Sequence, residues 1–242
     1  MTYAVALRLD RGLVFAADTR TNAGLDNIAQ YRKLQTWRQP GDRLLVLMSA
    51  GNLAVTQSVL SLLNEAASDD DERPTLFNAT NMYRATRIVG DAVREARRID
   101  GEALKASRIN FNSHFIFGGQ IKDERPRLFQ IYPEGNFIEA GDDTPFFQIG
   151  EHKYGKPILD RVARRDMSLG EAVKLLLLSF DSTLRSNLSV GTPLDLVIYE
   201  AGSLDLTREV RIEAEDPYFR KLSADWSEAL RHAFSTIDDY GD

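Results

Sequence analysis

The chain of 242 residues is 43% hydrophobic, contains no cysteine and carries a formal net charge of -6. The apolar content suffices for one sizeable core, and the missing thiols exclude disulfides and zinc–thiolate sites. Acidic and basic residues are interspersed, which excludes an electrostatic footprint for nucleic acid or for an anionic membrane. From Tyr3 to Leu9 the apolar pattern alternates, Asp10-Arg11-Gly12 turns, and Leu13 to Ala17 returns to Asp18, which predicts a hairpin. Arg8, Asp10 and Arg11 break the apolar stretch that a signal peptide needs, and no run approaches the ~20 residues of a membrane span, so a cytoplasmic protein is expected. Tyr31 to Trp37 reads as extended and holds Lys33; Arg43 to Ala50 reads as a buried strand. Gly51-Asn52 then opens a helix with Val55, Val59, Leu62, Leu63 and Ala66 at helical spacing.

The acidic run at 68–74 is expected to be a solvated loop rather than a metal site. A helix is predicted over 81–100, with Met82, Ala85, Val89, Ala92, Val93, Ala96 and Ile99 on one face and Arg87, Arg94, Arg97 and Arg98 on the other. Strands follow at 111–121, 127–132, 136–140 and 146–150, and a helix at 154–164. Ser168 and Glu171 have the spacing of a capping box, and the helix they start is apolar on nearly every side to about Ser186, which predicts burial. Strands at 195–199 and 210–214 and an amphipathic helix from Pro217 to Tyr240 complete the chain. Strands and helices segregate instead of alternating. The expected fold class is therefore α+β: two stacked antiparallel sheets with a helical layer on each outer face, in one domain spanning 1–242 with a helical extension at about 215–242.

Gly150 to Pro157 has the spacing of a phosphate-binding loop, but Pro157 lacks the hydroxyl that would hold magnesium and Glu151 would repel a phosphate. There is no GxSxG elbow, and His114, His152 and His232 have no pairing of the HExxH kind. His114 is read as a hydrogen-bonded structural residue of its strand. No cofactor and no metal are expected.

Thr2 is the strongest chemical candidate. Loss of Met1 would give it a free α-amine of pKa roughly 7.7–8.0, able to act as base for its own hydroxyl. The antiparallel hairpin delivers Asp18 beside the start of the first strand. A Lys33 cation nearby would lower the pKa of amine and hydroxyl, with Asp18 balancing its charge. Gly51, opening a helix, offers an N–H where oxyanion charge would develop. The same residues also fit an ordinary Asp–Lys pair and a helix-start glycine, so the reading at this level is an amide-bond hydrolase or a chain without catalysis.

The segments MTYAVALRLDRGLVFAADTRTNAG, YRKLQ and DRLLVLMSAGNLA resemble the N-terminal third of proteasome-type β-subunits, in particular the bacterial Anbu branch. The similarity continues through IGEHKYGKPIL and SFDSTLRSNLSVGTPLDLVIY. The resemblance implies the four-layer αββα fold of N-terminal nucleophile hydrolases. It places Thr2 as nucleophile, Asp18 as acidic partner, Lys33 as basic residue and Gly51 as oxyanion glycine. Where the family has a serine after the glycine, this chain has Glu151; where it has Asp-x-x-Ser-Gly, this chain has Asn187-Leu188-Ser189-Val190-Gly191. Asn187 and Ser189 are thereby candidate supporting residues. The implied activity is a threonine peptidase acting on peptides or unfolded proteins in a ring-like or stacked homo-oligomer, with an unfoldase as a further partner. A silent scaffold subunit and an amidohydrolase of small non-peptide amides are the alternatives.

Overall fold

The computed structural model describes residues 1–22, 28–68 and 73–241. In chain order the elements are β1 (Tyr3–Leu9), β2 (Gly12–Asp18), β3 (Arg20–Asn22), β4 (Ile28–Gln30), β5 (Leu34–Gln39), β6 (Arg43–Gly51), α1 (Leu53–Ser68) and α2 (Met82–Ala106). They continue with β7 (Ser113–Ile121), β8 (Arg127–Ile131), β9 (Phe137–Glu139), β10 (Phe146–Gly150), α3 (Lys156–Val162), α4 (Leu169–Ser186), β11 (Leu194–Glu200), β12 (Arg208–Ile212) and α5 (Pro217–Ser235). Two five-stranded antiparallel sheets, ordered β10-β1-β2-β11-β12 and β5-β6-β7-β8-β9, accompany a small β3-β4 ribbon. Positions 69–72 of the acidic run lie outside the described residues.

Alternation along β1 sets the layers. Val5, Leu7 and Leu9 face α3, α4 and α5 in a cluster with Leu159, Leu176, Phe180 and Phe219. Ala4 and Ala6 point the other way, with Leu13, Phe15 and Ala17 of β2, against Leu44, Val46, Met48 and Ile116 of the second sheet. Alanines on this face let the two sheets approach closely around the bulk of Phe15. The outer face of the second sheet, including Leu45, Phe115 and Phe117, is covered by Val59, Met82, Val89 and Val93 of α1 and α2. The order is helices, sheet, sheet, helices, the expected α+β arrangement.

Several boundaries differ from the sequence reading, at three helices and, by one or two residues, at the strands β7, β9 and β12. α2 runs on to Ala106, through Gly101; a glycine in a helix costs only about 1 kcal/mol, which the buried face of this long helix outweighs. α3 starts at Lys156, because Gly155 lies under the Tyr3 and Ser179 hydroxyls at the end of the preceding turn. α5 stops at Ser235, short of Tyr240; Asp238 and Asp239 would place negative charge on the negative end of the helix dipole. The Ser168–Glu171 capping box forms as expected. Among the described residues no helix is long and apolar enough to cross a membrane.

Candidate active site

β1 and β2 pair with Ala4 opposite Ala17, so Asp18 arrives level with Tyr3 and next to Thr2. The Tyr3 N–H donates to Asp18 Oδ1 (3.0 Å) and the Gly191 N–H to Oδ2 (3.4 Å). Lys33 lies one residue before β5, and its carbonyl accepts from the Ser49 N–H (3.0 Å), which extends the β5–β6 ladder and fixes the lysine backbone. From there Lys33 Nζ donates to Asp18 Oδ1 (2.7 Å), the Arg20 carbonyl (2.6 Å) and the Met1 carbonyl (3.3 Å). All three donor protons of the ammonium are therefore directed.

Asp18 and Lys33 are both buried. Burial pushes the Lys33 ammonium below its ordinary range, with Asp18 opposing. Burial likewise pushes the Asp18 carboxyl up, opposed by Lys33 and the two backbone N–H groups. The terminal amine, which here belongs to Met1, is lowered first by burial and then by the Lys33 cation. A cation in contact with the Met1–Thr2 peptide group favours neutral amine at the chain start.

Gly51 ends β6 opposite Ser113. Asn52 N–H bonds the Asn112 carbonyl (2.7 Å), so by antiparallel alternation Gly51 turns its own N–H away from β7. On that side β5 has already ended, and the N–H meets no acceptor among the described residues. The backbone is left-handed there (φ +116°), and a Cβ would stand 2.2 Å from the Asn112 carbonyl oxygen, so only glycine fits. Thr2 and Gly51 line one cleft of about 1530 Å³, together with Thr21, His114, Gln148 and Ser189.

Asn187 and Ser189 also come to this end of the molecule. Asn187 caps α4 and donates from Nδ2 to Glu151 Oε2 (2.7 Å), while its Oδ1 accepts from the Ser189 N–H (3.0 Å). Its Nδ2 also lies 3.0 Å from the Met1 sulfur. Glu151 is a residue whose place the sequence reading underrated. Its N–H donates to the Thr2 carbonyl (2.6 Å), and its Oε1 accepts from the His152 (2.8 Å) and Lys153 (2.7 Å) N–H groups. Burial pushes this carboxyl up, but the N–H donors of Lys153, Asn187 and His152 outweigh it and hold the group below its ordinary range. Those backbone donors are the ones a phosphate would need, so the GxxxxGK-like turn is closed by its own glutamate. The adjacency of Glu151 to the strand-ending Gly150 was the available sequence signal.

His114 corrects an expectation. Its ring lines the cleft and has no hydrogen-bond partner among the described residues, and burial lowers its pKa against the pull of Glu134. Being in a strand did not supply a partner, because the ladder already uses the neighbouring backbone groups. Among the described residues no group of three or more His, Asp or Glu side chains is placed to hold a metal ion.

Residues 2–199 match the family model described as proteasome subunit. Anbu from Hyphomicrobium sp. strain MC1 is 73% identical, with 99% of this chain and 100% of that chain covered and a TM-score of 0.92. The chain in the helical assembly of the Anbu complex from Pseudomonas aeruginosa is 47% identical, covering 98% and 97% respectively, with a TM-score of 0.93. Proteasome subunit beta 2 of Pyrococcus furiosus is 27% identical over 202 residues, which is 81% of this chain and 85% of the relative.

Proposed function

The chain belongs to the proteasome subunit family, with Anbu proteins as structural neighbours, and on that premise we propose that it is a threonine peptidase whose nucleophile is Thr2, exposed by loss of Met1. Thr2 Oγ1 attacks a peptide carbonyl while the Thr2 α-amine takes the hydroxyl proton and passes it to the leaving amine. Water then attacks the threonyl ester, again with the amine as base, and releases the second product. The Gly51 N–H is the donor for the oxyanion in both steps, a contribution of typically 10²–10³ in rate.

The observation that carries this reading is the placement of Lys33 Nζ, 2.7 Å from Asp18 and 3.3 Å from the carbonyl bonded to the Thr2 nitrogen. Removal of Met1 takes that carbonyl away and leaves a buried cation facing the new amine and hydroxyl. Asn187 and Ser189, through Glu151, hold the Thr2 carbonyl and the loop beside it.

Peptides or unfolded proteins are the proposed substrates, within a cytoplasmic homo-oligomer, ring-like or helical, fed by an unfoldase. The helical assembly of the Pseudomonas aeruginosa relative supports the homo-oligomer. So do Leu230 and Phe234, exposed one helical turn apart on α5, with Ile237 exposed just beyond its end. The test is turnover of fluorogenic peptides and covalent labelling by a peptide epoxyketone. Both should occur in the wild-type protein and vanish in Thr2→Ala; labelling that survives in Thr2→Ala overturns the proposal.

A further inference from the structure

Asp195 is an unexpected residue for its position. On β11 the alternate residues Val197 and Tyr199 belong to the apolar layer between the sheets. Asp195 shares their face and is buried opposite Ala17 of β2. A carboxylate there is unfavourable unless it is paired. Arg211, directly across on β12, supplies that pair, with Nε and Nη2 at 2.8 and 3.1 Å from the two carboxylate oxygens. Arg32 Nε approaches the same carboxylate at 3.9 Å. Arg32 Nη2 also donates to Glu209, which alternation places on the same face of β12 as Arg211.

Arg32 is thereby tied to the first sheet, while Lys33, the next residue, is built into the second. The Ser49 N–H bonds the Lys33 carbonyl (3.0 Å), so by alternation the Leu34 carbonyl points away from β6, off the free edge of β5. Arg32 Nε donates to that carbonyl (3.1 Å). The guanidinium therefore spans Lys33, from its own residue to the carbonyl beyond, and fastens that stretch to β11 and β12. Asp18 belongs to the first sheet, so the 2.7 Å contact between Lys33 Nζ and Asp18 crosses from one sheet to the other. That contact depends on how the lysine main chain is registered against β2 and β11. Arg32 fixes this register, together with the bond from the Tyr31 N–H to the Thr19 carbonyl (2.7 Å). Arg32, Asp195, Glu209 and Arg211 line a separate cleft of about 530 Å³, whose walls include neither Thr2 nor Gly51.

We propose that Arg32, held by Asp195 and Glu209, is a positioning residue for Lys33: it sets the lysine main chain against the first sheet so that Nζ meets Asp18 and the start of the chain. A lysine stem is flexible, so its head is placed only as well as its backbone and its partners are. The planar fork of an arginine can hold a carbonyl and two carboxylates in one fixed arrangement, which a second lysine could not. Arg32 does not line the cleft that holds Thr2, so it acts on the reaction through Lys33 alone. The inference rests on the peptidase reading for its effect on rate, while the placement of Lys33 is measurable without catalysis.

The test is epoxyketone labelling of the full chain, resolved into KI and the limiting rate kinact, alongside crystal structures of the variants. Arg32→Gln and Asp195→Asn should each lower kinact by roughly 10–10² with KI unchanged, since a misplacement of about 1 Å is enough for such a loss. The double variant should label no more slowly than Arg32→Gln alone, because the two residues act as one unit. Arg32→Lys should keep the charge without restoring the rate. In the Arg32→Gln crystal structure Lys33 Nζ should be displaced from Asp18. Unchanged kinact, a rise in KI alone, recovery in Arg32→Lys, losses that multiply in the double variant, or a slow variant with Lys33 Nζ still on Asp18 each overturns the proposal. If Arg32→Gln does not fold, Asp195→Asn and Glu209→Gln, which keep the guanidinium and remove its anchors, are read in the same way. If the wild-type protein is not labelled at Thr2, the peptidase reading fails and the crystal structures alone decide: a displaced Lys33 supports the positioning role, and an undisplaced one rejects it. Wild-type labelling matched by Arg32→Gln leaves the peptidase reading standing and rejects the role of Arg32.

Discussion

Lys33 Nζ lies 2.7 Å from Asp18 Oδ1 with both side chains buried, directly beneath the first peptide group of the chain. A buried pair of this kind contributes little net stability, but removing one member leaves the other charge without a partner. Lys33→Ala is therefore expected to lose both labelling at Thr2 and about 3 kcal/mol of stability, measured by denaturant unfolding. The double variant Asp18→Asn/Lys33→Met should regain most of the stability and none of the labelling. Recovery of labelling would assign the pair a purely structural role.

Gly51 tests the oxyanion assignment. A Cβ there would be 2.2 Å from the Asn112 carbonyl and the φ of +116° is hostile to it, so Gly51→Ala should shift the strand end and cost about 1–3 kcal/mol. Epoxyketone labelling should fall by at least about 10². Unchanged labelling kinetics would remove the Gly51 N–H from the mechanism.

Glu151 links stability to pH. Its carboxyl is held below the ordinary value of 4.5 in the folded chain, burial notwithstanding, by three N–H donors. The folded state thus favours the ionised form. Its stabilising contribution is fully present above the unfolded value and is lost as pH falls through the folded one. The stability difference between wild type and Glu151→Gln, about 1–2 kcal/mol, should be flat at neutral pH and shrink below about pH 4.5 in urea melts. A difference independent of pH down to about 3 would contradict the contacts described.

Ser168 is a control remote from the cleft. Ser168→Ala removes the hydroxyl that accepts from the Glu171 N–H, one half of the capping box on α4, and leaves the main-chain N–H of residue 168 donating to Glu171; it should lower stability by about 0.5–2 kcal/mol. The labelling rate at Thr2 should not change.

Much of the site was legible in the sequence because it follows from a short hairpin. Once Tyr3–Leu9 and Leu13–Ala17 are read as antiparallel, the end of the second strand must lie beside Thr2, and Asp18 is there. Lys33 and Gly51 bracket one predicted strand pair, and the ladder brings both to the same end. The three-residue strands β3 and β4 were not legible, since three residues show no period. Neither was the role of Glu151. A carboxylate after a strand-ending glycine looks like a departure until Asn187, thirty-six residues on, is seen to donate to it. His114 carried no signal either, because alternation within β7 cannot say whether a ring meets a partner or opens on a cleft.

The central claim is that the Thr2 α-amine and hydroxyl act together, and the most direct measurement is the mass of the N-terminal peptide after β-lactone treatment of protein purified from its native host. The expected result is a peptide that begins at Thr2 and carries one acyl group on the threonine. A peptide that retains Met1, or an adduct on any residue other than Thr2, would contradict it.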